Sequence, residues 1–136
     1  MGLINWIRFP PRGDERGSLV ALEVGDCLDI PFEVRRVYYI YGTGQGVSRG
    51  FHAHRELRQV AICLAGKCRV VLDNGRTREE AWLDSPLKGL VIEGMTWREL
   101  HDFSPDCVLL VLASAHYDEA DYIRSFDDFI ELTRNA

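Results

Sequence analysis

Lysine is almost missing from this chain of 136 residues. Only Lys67 and Lys88 occur among sixteen basic residues, so arginine supplies the other fourteen. Arginine is the better bidentate partner for carboxylate and phosphate. Positive charge is also short overall: twenty-one acidic residues against sixteen basic ones leave a net charge of −5. Non-specific nucleic-acid and anionic-membrane binders lean the other way, so both classes are disfavoured, while an anionic small molecule met by placed arginines is not. No apolar run approaches a bilayer's thickness. The start, Met1-Gly2-Leu3-Ile4-Asn5-Trp6, lacks the basic stretch of a secretion signal, and Trp6 stands where an acylation pattern needs Ser or Thr. The expected address is the cytoplasm. Repeats, low-complexity tracts and linkers are lacking too, and one domain over residues 1–136 is expected. The four cysteines, Cys27, Cys63, Cys68 and Cys107, contain no C-x-x-C pair, which removes zinc-ribbon and thioredoxin-like readings.

What is present is core material, at 46% hydrophobic residues. It falls in short runs rich in Val, Ile, Tyr and Leu between turn signals, the spacing of an all-β sandwich or barrel. The expected strands are 19–23, 35–41, 50–54, 58–64, 67–73, 76–83, 89–93, 96–103 and 107–114. Asn74-Gly75 signals a hairpin that sets Asp73 opposite Arg76. Ala65-Gly66, read as a two-residue turn, sets Cys63 opposite Cys68, with packed thiols expected in a reducing compartment. The tail changes period: Phe126, Phe129, Ile130 and Thr133 lie three and four apart behind the capping pattern Ser125-x-x-Asp128. The expected fold is therefore all-β, a small barrel with a short C-terminal helix.

His52-Ala53-His54 carries the chemistry. Residues two apart on a strand share a face, so both imidazoles point the same way. An isolated H-x-H also fits a solvent-facing polar stripe. The surroundings favour the interior: Gly46, His52, His54, Gln59 and Gly66 reproduce the spacing G-x5-H-x-H-x4-E-x6-G of the first cupin motif, with Gln59 in place of the metal-binding Glu. A third histidine is missing as well, because the matching position is Leu100 and the adjacent His101 faces the other way. Two histidines without the carboxylate suit acid/base work near neutral pH better than metal binding.

The chain resembles the cupin-type 3,4-ketoisomerases that act on dTDP-4-keto-6-deoxyglucose. The resemblance is carried by 16–21 (RGSLVA), 30–32 (IPF), 36–40 (RVYYI), 49–54 (RGFHAH), 107–114 and 117–124 (YDEADYIR). It implies a jelly-roll barrel, a homodimer exchanging N-terminal strands, no cofactor and no metal. It implies that the ketone moves from C4 to C3 through an enediolate, with His52 as leading base, His54 as relay or orienting partner and Tyr38 as a hydroxyl in the same site. Arg49 is expected on the enediolate or the diphosphate, and Arg16 and Arg98 at the sugar end. Trp97 reads as core or as a thymine platform, and Asp118, Glu119, Asp121, Asp127 and Asp128 as a solvated, helix-capping face. A dTDP-sugar 3,5-epimerase and a non-catalytic sugar-nucleotide binder are the alternatives.

Overall fold

A computed structural model describes residues 2–24 and 30–134; Cys27 lies outside the described residues. The strands are β1 (Asn5–Arg8), β2 (Arg12–Asp14), β3 (Gly17–Leu19), β4 (Arg36–Tyr41), β5 (Arg49–His54) and β6 (Gln59–Ala65). They continue with β7 (Cys68–Asp73), β8 (Arg78–Leu83), β9 (Lys88–Ile92), β10 (Trp97–His101), β11 (Val108–Ala113) and β12 (Tyr122–Ile123). A short 3-10 turn (Glu119–Asp121) precedes β12, and one α-helix among the described residues, α1 (Phe126–Arg134), follows it. Two antiparallel five-stranded sheets, ordered β1-β9-β6-β11-β4 and β12-β5-β10-β7-β8, enclose the core, and β2 and β3 form a hairpin of their own. This is the all-β jelly roll of a small cupin.

Period-two patterning sets which side chains enter the barrel. On β4, Arg36, Tyr38 and Ile40 are half-buried while Val37, Tyr39 and Tyr41 are exposed. The apolar interior gathers Ala61, Cys63, Cys68, Val70, Leu72, Leu83, Leu90 and Leu109. The helix forms where the period changes: Ser125 Oγ accepts from the Asp128 N–H at 3.2 Å, and Asp127 and Asp128 sit in the positive first turn. It buries Phe129 completely against Trp97, with ring centroids 5.9 Å apart. That burial contributes about 2–3 kcal/mol.

Three local expectations fail. The segment Gly66–Lys67 is a crossover, since β6 and β7 belong to different sheets. Cys63 therefore does not face Cys68 across a hairpin; its Sγ lies 3.8 Å from Cys107 Sγ, and all three thiols are free and buried. Asp73 pairs with Arg78 rather than Arg76, because the Asn74 side chain accepts from the N–H groups of Arg76 and Thr77 and widens the turn. The strand expected over 19–23 ends at Leu19, and Val24 makes only an isolated bridge to Ile30.

Candidate active site

The polar mouth of the barrel opens into a cavity of about 460 Å³. Its polar side chains come from five strands and the chain just after the last of them. β4 supplies Arg36 and Tyr38, β5 Arg49 and His52, β6 Gln59, and β10 Arg98, with Tyr122 and Arg124 arriving from the chain after β11. In a chain of net charge −5, four arginines and, among the described residues, no carboxylate line this space.

Arg49 reaches the wall because β5 is irregular. Gly50 and Phe51 have φ of 89° and 59°, and the pairing with β10 jumps from Arg98↔His52 to Glu99↔Gly50. Phe51 is the extra residue of a β-bulge. Its left-handed backbone costs about 1–3 kcal/mol unless the surroundings hold it. Beyond the bulge the strand resumes alternation, and His52 and His54 share a face, their rings in T-shaped contact at 4.8 Å. Tyr122 packs on both, with centroids 4.9 Å from His52 and 4.3 Å from His54.

The two histidines are not equivalent. His52 lines the main cavity, whereas His54 is 1% exposed and does not. His54 Nδ1 lies 3.1 Å from Asp121 Oδ2. A carboxylate only accepts, so Nδ1 carries the proton and Nε2 is the bare, basic nitrogen; Nε2 has no partner among the described residues. Burial, reinforced by the Arg98 cation, lowers the pKa of His52 to about 4 and of His54 to about 3. The nearby Asp121 charge and hydrogen bond oppose the shift of His54 without reversing it. Both rings are neutral bases at pH 7.

Gln59 connects the remaining groups. Its Nε2 donates to Tyr38 Oη at 2.9 Å, and its Oε1 accepts from Arg98. Arg98 also donates to the Thr96 carbonyl at 3.0 Å, and its Nε is unpartnered. Burial draws its pKa down to about 10, so the guanidinium stays cationic at neutral pH with no carboxylate in contact among the described residues. Desolvation raises the Tyr38 pKa, keeping the phenol protonated. This donor set does not fit a divalent metal. Its would-be carboxylate is an amide already committed to Tyr38, and the neighbouring buried guanidinium repels a second cation.

His52, Tyr38, Arg49 and Arg98 are thus brought together, with His54 directly behind. Arg16 is not. It sits on the exposed β2–β3 turn, 86% exposed and paired with Asp14 at 2.5 Å, away from the cavity of its own chain. Trp97 is core, 3% exposed, its Nε1 donating to Glu99 at 2.9 Å. Asp121 is not part of a solvated face: besides His54, it accepts from the backbone N–H groups of Arg55, Glu56 and Leu57. Asp118 does cap the short turn before β12 by accepting from Ala120 N–H. Arg36, Tyr122 and Arg124 were missed as wall residues. Arg124 is held by Glu119 at 2.7 and 2.8 Å and stacks 4.1 Å above the Tyr122 ring.

Comparisons with known proteins place the chain in a family. A protein-family model described as FdtA, "WxcM-like, C-terminal", matches residues 3–134. The TDP-4-oxo-6-deoxy-alpha-D-glucose-3,4-oxoisomerase of Aneurinibacillus thermoaerophilus is 54% identical over 90% of this chain and 87% of its own. The crystal structure of a 3,4-ketoisomerase from Helicobacter canadensis superposes with a TM-score of 0.92 at 44% identity, covering 96% of this chain and 97% of that one. A His-to-Asn mutant of the 3,4-ketoisomerase QdtA from Thermoanaerobacterium thermosaccharolyticum, in complex with TDP-4-keto-6-deoxyglucose, gives 0.93 at 40%, covering 99% and 96%. The chain belongs to the FdtA, WxcM-like family and, within it, to the sugar-nucleotide 3,4-ketoisomerases.

Proposed function

We propose that this protein is a cytoplasmic, metal-independent isomerase that converts dTDP-4-keto-6-deoxyglucose to a dTDP-3-keto-6-deoxyhexose. The observation that carries the reading is a neutral imidazole, His52, facing a cavity whose charged wall residues, among those described, are all arginines. His52 takes the proton from C3, and the C3–H electron pair becomes the C3–C4 double bond of an enediolate. The charge that builds on the C4 oxygen is met by Arg98, a buried cation with no carboxylate in contact among the described residues. Arg49 at the open rim meets the diphosphate or the enediolate. Tyr38 serves as a fixed hydroxyl in the same site; the C3 hydroxyl proton passes to the C4 oxygen, and a proton delivered to C4 as the C3 carbonyl forms completes the transfer. Incubation with dTDP-4-keto-6-deoxyglucose and no added metal should give the 3-keto sugar by NMR. Deuterium entering C5 without that product would make the protein an epimerase, and binding without hydrogen exchange at C3 a non-catalytic module.

The working form is a homodimer that exchanges N-terminal strands. Two features support it. The β2–β3 hairpin joins neither barrel sheet, and the edge strand β4 exposes Val37, Tyr39 and Tyr41. A second copy covers both and brings its Arg16 toward the sugar end of this cavity. Light scattering after gel filtration should give twice the chain mass, and Tyr39→Arg should reduce it to one.

A further inference from the structure

A second cavity, of about 150 Å³, lies on the far side of His54. It is lined by His54, Asp121, Tyr122 and Arg36, and by the exposed Ala115 and His116, so it reaches the surface. Arg36 and Tyr122 belong to both cavities; His52 lines only the first and His54 only the second. The two nitrogens of an imidazole diverge, so with Nδ1 on Asp121 the bare Nε2 of His54 is turned away from that carboxylate. Asp121 is itself fixed, locked by three consecutive backbone N–H groups of the turn after β5, with 15% of its side chain exposed. A histidine needed only to shape the first cavity would require neither an unpartnered buried nitrogen nor a carboxylate at a second opening.

We propose that the second cavity is the proton port of the isomerase: Asp121 and His54 connect His52 to solvent, so the hydrogen arriving at C4 comes from water. The inference rests on the ketoisomerase reading. The proton taken from C3 by His52 moves to His54 Nε2, as the proton on Nδ1 passes to Asp121 and then to water. The reverse sequence delivers a solvent proton through His52 to C4. Each nitrogen uses its own lone pair, and the electrons of the broken C–H bond remain in the enediolate, so no oxidant or reductant is required. The His52–His54 step crosses a T-shaped ring contact, and a ring turn or a single water aligns the nitrogens. Asp121 acts through His54 and is a positioning residue.

The test is the origin of the C4 hydrogen when unlabelled substrate turns over in D2O, read by mass spectrometry and NMR at low conversion. The wild-type product should carry deuterium at C4. Asp121→Asn, which weakens proton acceptance while keeping the shape, should raise the ratio of internally transferred to solvent-derived hydrogen about tenfold or more. Ala115→Trp, which plugs the second cavity without touching the hydrogen bonds of His54, should move the ratio the same way even if the Asp121 variant folds poorly. A loss of stability alone would lower turnover without changing this ratio. Direct C3-to-C4 transfer in the wild type, or an unchanged ratio in both variants, overturns the port and leaves the ketoisomerase intact. Failure of the wild type to form any 3-keto product overturns both.

Discussion

The two ends of the barrel use the same strands for opposite purposes. On β6 the inward row runs Gln59, Ala61, Cys63, and on β10 it runs Arg98, Leu100. At the open end these rows meet Tyr38, His52 and Arg36; at the closed end they meet Leu83, Leu90 and the three thiols. Burial drives the two ends in opposite directions from neutrality. It strips protons from the histidines, and it holds protons on Cys63 and Cys68, pushing Cys63 up to about 12 and Cys68 higher still. Desolvation thus leaves unprotonated imidazoles at one end and protonated thiols at the other. Alternation decides what is inside, while position along the strand decides whether it reacts.

The strongest challenge to that division is His52→Asn. It should cost about 10²–10⁴-fold in kcat, the usual worth of a positioned base, while substrate binding and melting temperature stay close to wild type. A variant retaining full turnover would remove His52 from the chemistry. The counterpart at the closed end is Leu83→Ala, at a site 1% exposed. It should cost about 2–5 kcal/mol in urea unfolding, with kcat unchanged at a permissive temperature. A proportionate fall in kcat would mean that the two ends are not separable.

Acid should act on the open end selectively. With His52 at about 4 and His54 at about 3, the unfolded chain binds protons as pH falls through 6.5 while the folded chain does not. Stability is full above 6.5 and is lost progressively down to about 4, so the melting temperature should decline across that window. Over the same window kcat/KM should hold nearly level before falling near pH 4. An acid limb at 6.5 would place the essential base in water rather than in this wall. The smallest effect concerns the closed end: Cys63 and Cys107 should resist alkylation by iodoacetamide at pH 7.5 until denaturant is added. Rapid labelling of the native protein would contradict the sealed interior.

Much of this division is legible in the sequence, because parity is a local property. The alternation in Arg36–Tyr41 and the H-x-H spacing fix their faces without knowledge of any partner. What escapes is whatever depends on a distant partner. Strands β1, β2 and β12 have four, three and two residues, too short to show a period, and pairing alone defines them. Ala65-Gly66 reads equally well as a hairpin or a crossover, since both need the left-handed glycine at φ 67°. Asp121 lies among carboxylates that look solvated, and its partners are mostly backbone N–H groups, which no side-chain pattern announces. Tyr122 and Arg124 belong to the conspicuous run 117–124, yet only the fold brings that run against β5.

The bulge at Phe51 separates two adjustments that strand geometry would otherwise tie together. In an unbroken strand, residues three apart face opposite ways, so Arg49 and His52 could not share a wall. The extra residue cancels that odd spacing. Removing it would swing the guanidinium outward and leave both histidines where they are. On the proposed roles of Arg49 and His52, anion capture and proton abstraction can therefore change independently: substitutions upstream of the bulge would retune which sugar nucleotide is held, and those downstream the fate of its hydrogen.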